Sequence, residues 1–97
     1  MTHLVTFHSV GSALYAEKLL VARTDCGSGV TVVPVPRSVS SSCGYAVETN
    51  DVAAATLTEL LDNADVEWDV VYHVVVAGGK ERYEPAARRG DGERNDG

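Results

Sequence analysis

The chain has 97 residues, of which 44% are hydrophobic and 23% charged, and its formal net charge is −6. This composition is typical of one globular domain and excludes an intrinsically disordered chain. Residues 1–77 hold nine acidic and only three basic residues. They therefore offer no basic surface for the phosphates of nucleic acid or for an anionic membrane.

Segments with strand-like and helix-like hydrophobic spacing alternate along residues 3–76 and predict four strands and two helices. In chain order they are a strand at residues 3–8, a helix at 11–24, strands at 30–35 and 44–48, a helix ending near 63, and a strand at 68–76. Ser9 or Ser12 is the predicted N-cap of the first helix. Asn50 or Asp51 is the predicted N-cap of the second. The predicted buried stripes are Ala13, Ala16 and Leu20 in the first helix, and Val52, Leu57, Leu60 and Leu61 in the second.

The order β-α-β-β-α-β predicts an α+β domain of the ferredoxin-like type over residues 1–77. Its sheet would have four mostly antiparallel strands in the order 4-1-3-2, with both helices on one face. Residues 78–97 carry few large apolar side chains, so we expect a disordered polar tail that folding does not need. Both faces of the last strand are largely apolar, and an open apolar sheet face predicts a homodimer.

This topology brings distant polar residues to one edge of the sheet. The C-terminal ends of the first two strands and the start of the third would meet there, beside the N-terminus of the first helix. That edge would hold His8, Ser9, Arg37, the run Ser40-Ser41-Ser42, and Cys43.

Cys43 is the residue through which any chemistry would run. The positive end of the first helix and the charge of Arg37 would both favour its thiolate, which is the nucleophilic form. Serine hydroxyls and backbone N–H groups could hold a small anion beside the sulfur, and Gly44 would permit close backbone approach or a positive φ. His8 could serve as a general base. The competing interpretation is that Cys43 is a small buried apolar residue and that the serine run is an ordinary loop.

Other kinds of site are less well supported by the sequence. Cys26 follows the first helix, at the opposite end from Cys43, and the two should not form a disulfide. His3 and His73 lie on neighbouring predicted strands but lack the paired spacing of a zinc site. No glycine-rich phosphate loop or catalytic triad order is present, so we expect neither a metal nor a cofactor. Two cysteines, and an N-terminal segment unlike a secretory signal, favour a reducing cytoplasm.

Several of these segments resemble a family of small bacterial proteins labelled selenium/sulfur carrier protein-like. The resemblance covers about residues 3–76 and is carried by Thr6-Phe7-His8-Ser9, by Ala16-Glu17-Lys18-Leu19-Leu20, and above all by Pro34-Val35-Pro36-Arg37 with Ser40-Ser41-Ser42-Cys43-Gly44. Two positions depart from the family pattern: Val10-Gly11-Ser12 follows the His-Ser pair, and Ser38 follows the Pro-Arg pair.

The resemblance implies a cysteine that carries sulfur or selenium as a persulfide or selenosulfide. On this chain that residue is Cys43, and its matching surroundings are Arg37, Ser41, Ser42, Gly44, His8 and Ser9. Donor and acceptor proteins are the implied partners, so the chain would be a carrier rather than an enzyme acting alone. The alternative is a ferredoxin-like module that binds a small anion or another ligand, or has a regulatory role, without covalent chemistry.

Overall fold

The computed structural model describes residues 2–23, 29–39, 43–50 and 52–89. The elements in these ranges are Thr2–Phe7 (β1), Val10–Arg23 (α1), Val30–Pro34 (β2), Tyr45–Asn50 (β3), Ala54–Asn63 (α2), Trp68–Ala77 (β4) and Lys80–Arg88 (β5). The two helices and the first four strands lie close to the positions that the hydrophobic spacing predicts. The predicted cap of α2 is wrong, because β3 continues to Asn50 and the N-cap is Ala53, which makes no side-chain capping hydrogen bond.

The strands form one sheet in the order β2-β3-β1-β4-β5, and every neighbouring pair is antiparallel. The mixed α+β class and the antiparallel sheet are as predicted, and β3 lies between β1 and β2. The prediction of a four-stranded sheet is wrong, because β5 pairs with the outer side of β4 from Val70↔Arg88 to Ala77↔Lys80.

Strand β5 occupies residues 80–88 of the segment for which the sequence predicts a disordered tail. Gly78 and Gly79, with φ of +61° and +79°, form the two-residue turn that joins β4 to β5. Such turns favour glycine because both central residues need a positive φ. An edge strand also needs few core-forming side chains, since its neighbour supplies the hydrogen-bond ladder. The Gly-Gly pair is therefore the sequence signal of this hairpin. Residues 90–97 of the predicted tail lie outside the described residues.

One face of the sheet packs against both helices. The core on this side includes Ala13, Ala16 and Leu20 of α1, Leu57 and Leu61 of α2, and Val5, Phe7, Val47 and Val71 of the sheet. The predicted stripe of α1 is confirmed. In the predicted stripe of α2, Leu57 and Leu61 are buried and Leu60 is half-buried, whereas Val52 is buried but lies before the helix begins. Strand alternation explains this arrangement, because every second residue of a strand points to the same face.

The second face of the sheet is covered in part by the chain itself. Leu4, Ala46 and Val74 are buried there together with Val39 from the loop after β2. Tyr72 of β4 and Tyr83 of β5 pack against the same cluster. The sequence predicted that this face is open and apolar, because both helices lie on the other one. Since the chain covers part of it, this face gives little support to the predicted homodimer. Neither described helix is long and apolar enough to cross a membrane.

Candidate functional site

The ends of three strands meet at one edge of the sheet. Thr6 of β1 pairs with Ala46, and Pro34 of β2 pairs with Tyr45 at the start of β3. The backbone N–H of Val35 also donates to the carbonyl of Gly44 across 3.1 Å, so the β2–β3 ladder continues to Gly44. Cys43 comes immediately before this pairing, and His8 and Ser9 follow the end of β1 at the same edge. Ser41 and Ser42 lie outside the described residues.

Cys43 is a buried thiol, with 5% of its surface exposed. The backbone N–H of Tyr45 donates to Cys43 Sγ, and the Sγ–H donates to the Tyr45 carbonyl, each across 3.4 Å. The N–H would suit a thiolate, which accepts hydrogen bonds, whereas the carbonyl oxygen suits only the protonated thiol. In this conformation the sulfur is therefore closed off from solvent, as in the competing interpretation of Cys43 as a buried residue.

Arg37 lies in a tight turn beside the site. The backbone N–H of Val39 donates to the Pro36 carbonyl across 3.0 Å, which closes the turn. Val39 is buried against Leu4 and Ala46, whereas Arg37 is exposed. The buried valine thus anchors a turn that presents a cation to solvent.

Gly44 is exposed, and it shows neither the positive φ nor the close backbone approach that the sequence analysis considered for it. Among the described glycines, a positive φ occurs at Gly78 and Gly79. A Cβ placed on Gly44 would have no atom within 4 Å beyond its chain neighbours. Neither a positive φ nor a close backbone approach therefore explains glycine at this position.

Ser9 is the N-cap of α1, as one of the two sequence-based alternatives predicted. Its Oγ accepts the backbone N–H of Ser12 at 3.2 Å, and its carbonyl accepts the N–H of Ala13 at 3.2 Å. The Ser9 hydroxyl also donates to Ser12 Oγ at 3.1 Å. These bonds give Ser9 a structural role at the edge that holds Cys43.

His8 has a partner that the sequence did not indicate. Its Nε2 lies 3.7 Å from Asp69 Oδ1, and both side chains are substantially exposed. Asp69 reaches this edge because β4 begins beside the end of β1, where Phe7 pairs with Trp68. A register shift between Val5 and Phe7 sets this pairing, and hydrophobic spacing does not reveal such a shift.

His3 and His73 are direct neighbours on β1 and β4, as predicted, and they lie at the other end of β1 from Cys43. Their rings stack with centroids 5.3 Å apart. Within the described ranges, no three side chains of histidine, cysteine, aspartate or glutamate are placed to hold a metal ion.

Residues 2–73 match the family described as "Putative Se/S carrier protein-like". The matched range contains Cys43, Arg37 and the ends of the three strands that meet beside them, and β5 lies beyond it. Neither the curated proteins nor the solved structures gave a match.

Proposed function

Because the chain belongs to the Se/S carrier protein-like family, we propose that Cys43 is its carrier thiol, which accepts a sulfur or selenium atom from one protein and delivers it to another. The family match supports this proposal most directly, since it spans the whole edge around Cys43. The surroundings that we assign to the carrier site are Arg37, Ser41, Ser42, Gly44, His8 and Ser9.

The proposed loading step is an exchange that needs no external oxidant. The Cys43 thiolate attacks the terminal sulfur of a donor persulfide, and a bond forms between Sγ and that sulfur. The sulfur–sulfur bond of the donor breaks, and its electron pair leaves with the donor thiolate. His8 takes the proton from the Cys43 thiol. Delivery is the same exchange in reverse toward an acceptor thiolate, and a selenium atom bound to a donor sulfur follows the same course.

Because Cys43 is buried, a carrier that uses it must open when it meets its partner. A transferable sulfur atom held in a buried place is protected from other thiols, whereas exchange requires access to it. Access to the sulfur would require Cys43 to move away from Tyr45 during docking, which would separate Sγ from the Tyr45 carbonyl. Arg37 and the N-terminus of α1 would then stabilise the exposed thiolate. We place this exchange in the cytoplasm, where thiols remain reduced.

The same burial favours the competing function, a ligand-binding or regulatory module whose thiol is inert. A buried cysteine that exchanges hydrogen bonds with its own backbone is also what packing alone produces. In that case the exposed Arg37 and the N-terminus of α1 would bind a small anion without a covalent bond to Cys43.

Intact-mass analysis of the protein purified without reductant separates the two functions. The carrier is expected to gain the mass of one sulfur or one selenium atom in cells, or that of one sulfur atom after incubation with glutathione persulfide. Peptide mapping should place this mass on Cys43, and it should disappear on treatment with dithiothreitol.

The matched controls are Cys43→Ser and Cys26→Ser. The carrier proposal requires that the first variant lose the added mass and that the second keep it. Uptake on Cys26 alone, or none in a folded protein whose unfolded form is readily modified, would overturn the carrier proposal. Stabilisation of Cys43→Ser by small anions, as strong as that of the unchanged protein, would support the ligand-binding module.

A further inference from the structure

A row of polar side chains crosses the sheet at the end opposite Cys43. Thr49 of β3 and His73 of β4 are the direct cross-strand partners of His3. Direct partners share a face of the sheet, and Val5 and Val47 fix that face as the one covered by the helices. On the helix-facing side of the sheet, these polar side chains thus lie next to the end of the apolar core.

Two atoms of this row are buried without a hydrogen-bond partner: His3 Nδ1 and Thr49 Oγ1. His3 is 3% exposed and Thr49 is 0% exposed. The His3 ring stacks on that of His73, with an interplanar angle of 25°. The stack suits two neutral rings, because protonation of His3 would place a cation in a buried position next to the second imidazole.

We propose that the stacked pair His3–His73 is a pH-sensitive latch, which holds the start of β1 against the turn into α2 when both rings are neutral and releases that turn when His3 is protonated. The turn is linked to the pair by a hydrogen bond between His3 and the backbone of Val52. Its residue Ala53 is the N-cap of α2 and makes no side-chain capping hydrogen bond. Val52, just before it, is buried in the core on the helix-facing side.

Burial and the neighbouring charge of His73 favour the neutral form of His3. Burial, and after it the charge of His73, lowers the pKa of His3 below its ordinary value of 6.5, and the backbone carbonyl of Val52 and the N-terminal ammonium act more weakly in opposite directions. Glu84 of β5 is the cross-strand partner of His73 and is paired with Arg82. Thr49 on the β3 side carries no charge.

The sign of the pH dependence follows from this lowered pKa. Unfolded chains bind the proton at about pH 6.5, whereas the folded chain binds it only at a lower pH. The stabilising contribution of neutral His3 is therefore complete above pH 6.5 and is lost as the pH falls toward the pKa of the folded state. Within that window, each fall of one pH unit raises the unfolding equilibrium constant by up to about tenfold.

The test is nuclear magnetic resonance of the whole protein between about pH 7.5 and about pH 5, combined with urea unfolding over the same range. The chain has three histidines, so the variants His3→Phe, His73→Phe and His8→Phe assign all the imidazole signals. We expect the backbone signals of Thr49 and Val52–Leu57 to shift together with the titration of His3, whereas those around Cys43 should not follow that titration.

His3→Phe keeps an aromatic ring against His73 but cannot be protonated, so it should abolish the shift and the part of the pH dependence of unfolding that His3 causes. His73→Phe keeps the stack and removes the repulsion, so the titration of His3 should move to higher pH. This second variant decides the question if the first does not fold. His8→Phe, at the opposite edge, should titrate like the unchanged protein in these signals. The proposal would be overturned if the signals of Thr49 and Val52–Leu57 did not shift with the titration of His3. It would also be overturned if folded His3→Phe kept the same pH dependence of unfolding as the unchanged protein.

Discussion

Cys43 and Tyr45 are joined twice through one sulfur atom: the Tyr45 N–H donates to Sγ, and the Sγ–H donates to the Tyr45 carbonyl, each across 3.4 Å. The second bond exists only while the thiol is protonated. Loss of the proton would bring the negative sulfur against a carbonyl oxygen, although the N–H would still support it. The conformation described here is therefore that of a protected thiol, and a carrier that uses it must expose Cys43 before exchange.

We predict that iodoacetamide labels Cys43 far more slowly in the native protein than in the unfolded one, because the residue is 5% exposed. A reduction of more than about tenfold is expected if labelling requires a local opening. The measurement is peptide mass against time, with and without urea, in Cys26→Ser so that one thiol is followed. Equal rates in both conditions would show that the site is already open.

We predict that Arg37→Ala slows the labelling of Cys43 in the opened state, because the arginine cation no longer favours the thiolate. Arg37 is exposed, so solvent screens its charge and the effect should be modest, on the order of a few-fold. Arg37→Lys is the matched control, since it keeps the charge and should keep the rate. Identical pH–rate profiles for all three proteins would remove Arg37 from the site.

We predict that truncation after Gly79 destabilises the fold, which reverses the sequence-based expectation of a dispensable tail. The truncation removes β5, whose Tyr83 and Ala87 pack against the two core clusters, and leaves the long edge of β4 unpaired. A loss of more than about 3 kcal/mol in the free energy of unfolding is expected, measured with urea. Truncation after Arg89 is the control, because it keeps every β4–β5 pair; similar midpoints for the two truncations would contradict the prediction.

We predict opposite outcomes for alanine at two glycines. Gly44→Ala should be neutral or stabilise the protein by about 0.5 kcal/mol, because the added Cβ has open space and alanine restricts the unfolded chain. Gly79→Ala should cost about 1 kcal/mol, because its φ is +79°. Thermal unfolding of the two variants decides the comparison. A severe loss at Gly44 would point to a requirement other than space or a positive φ.

We predict that Ser9→Ala costs about 1 kcal/mol of stability, because the cap of α1 is lost. Ser9→Asp should restore stability, since aspartate is as good an N-cap as serine. Urea unfolding measures both. Labelling of Cys43 in the same variants separates the two roles of Ser9: a purely structural cap leaves the labelling rate unchanged in Ser9→Asp, whereas a direct role in activating the thiol makes it fall, because a carboxylate at that position disfavours the thiolate.

Hydrophobic spacing located the helices and the first four strands but stopped short at β5. The residues of β5 show little alternation of apolar and polar side chains, and most of them are exposed. Their polar composition therefore predicted a disordered tail. Hydrophobic spacing also predicted one open apolar face of the sheet. In the structure Val39 packs over Leu4 and Ala46 on that face, and spacing along the chain does not indicate such a contact. The placement of His8, Ser9, Arg37 and Cys43 at one edge was a prediction from strand order, whereas the sequence left open whether Cys43 is a reactive thiol or a buried apolar residue.

The amino-acid sequence by itself determined the two helices, the first four strands and the family, because these depend on local periodicity and on short runs of residues. The tertiary structure alone decided which side chains meet. The pairing of His8 with Asp69 depends on the register of β1 against β4, and the protection of Cys43 depends on how the chain turns into β3. The stack of His3 on His73 also requires two strands to lie side by side, 70 residues apart in the chain. Such contacts are set by register and burial over the whole sheet, and no local pattern of residues encodes them.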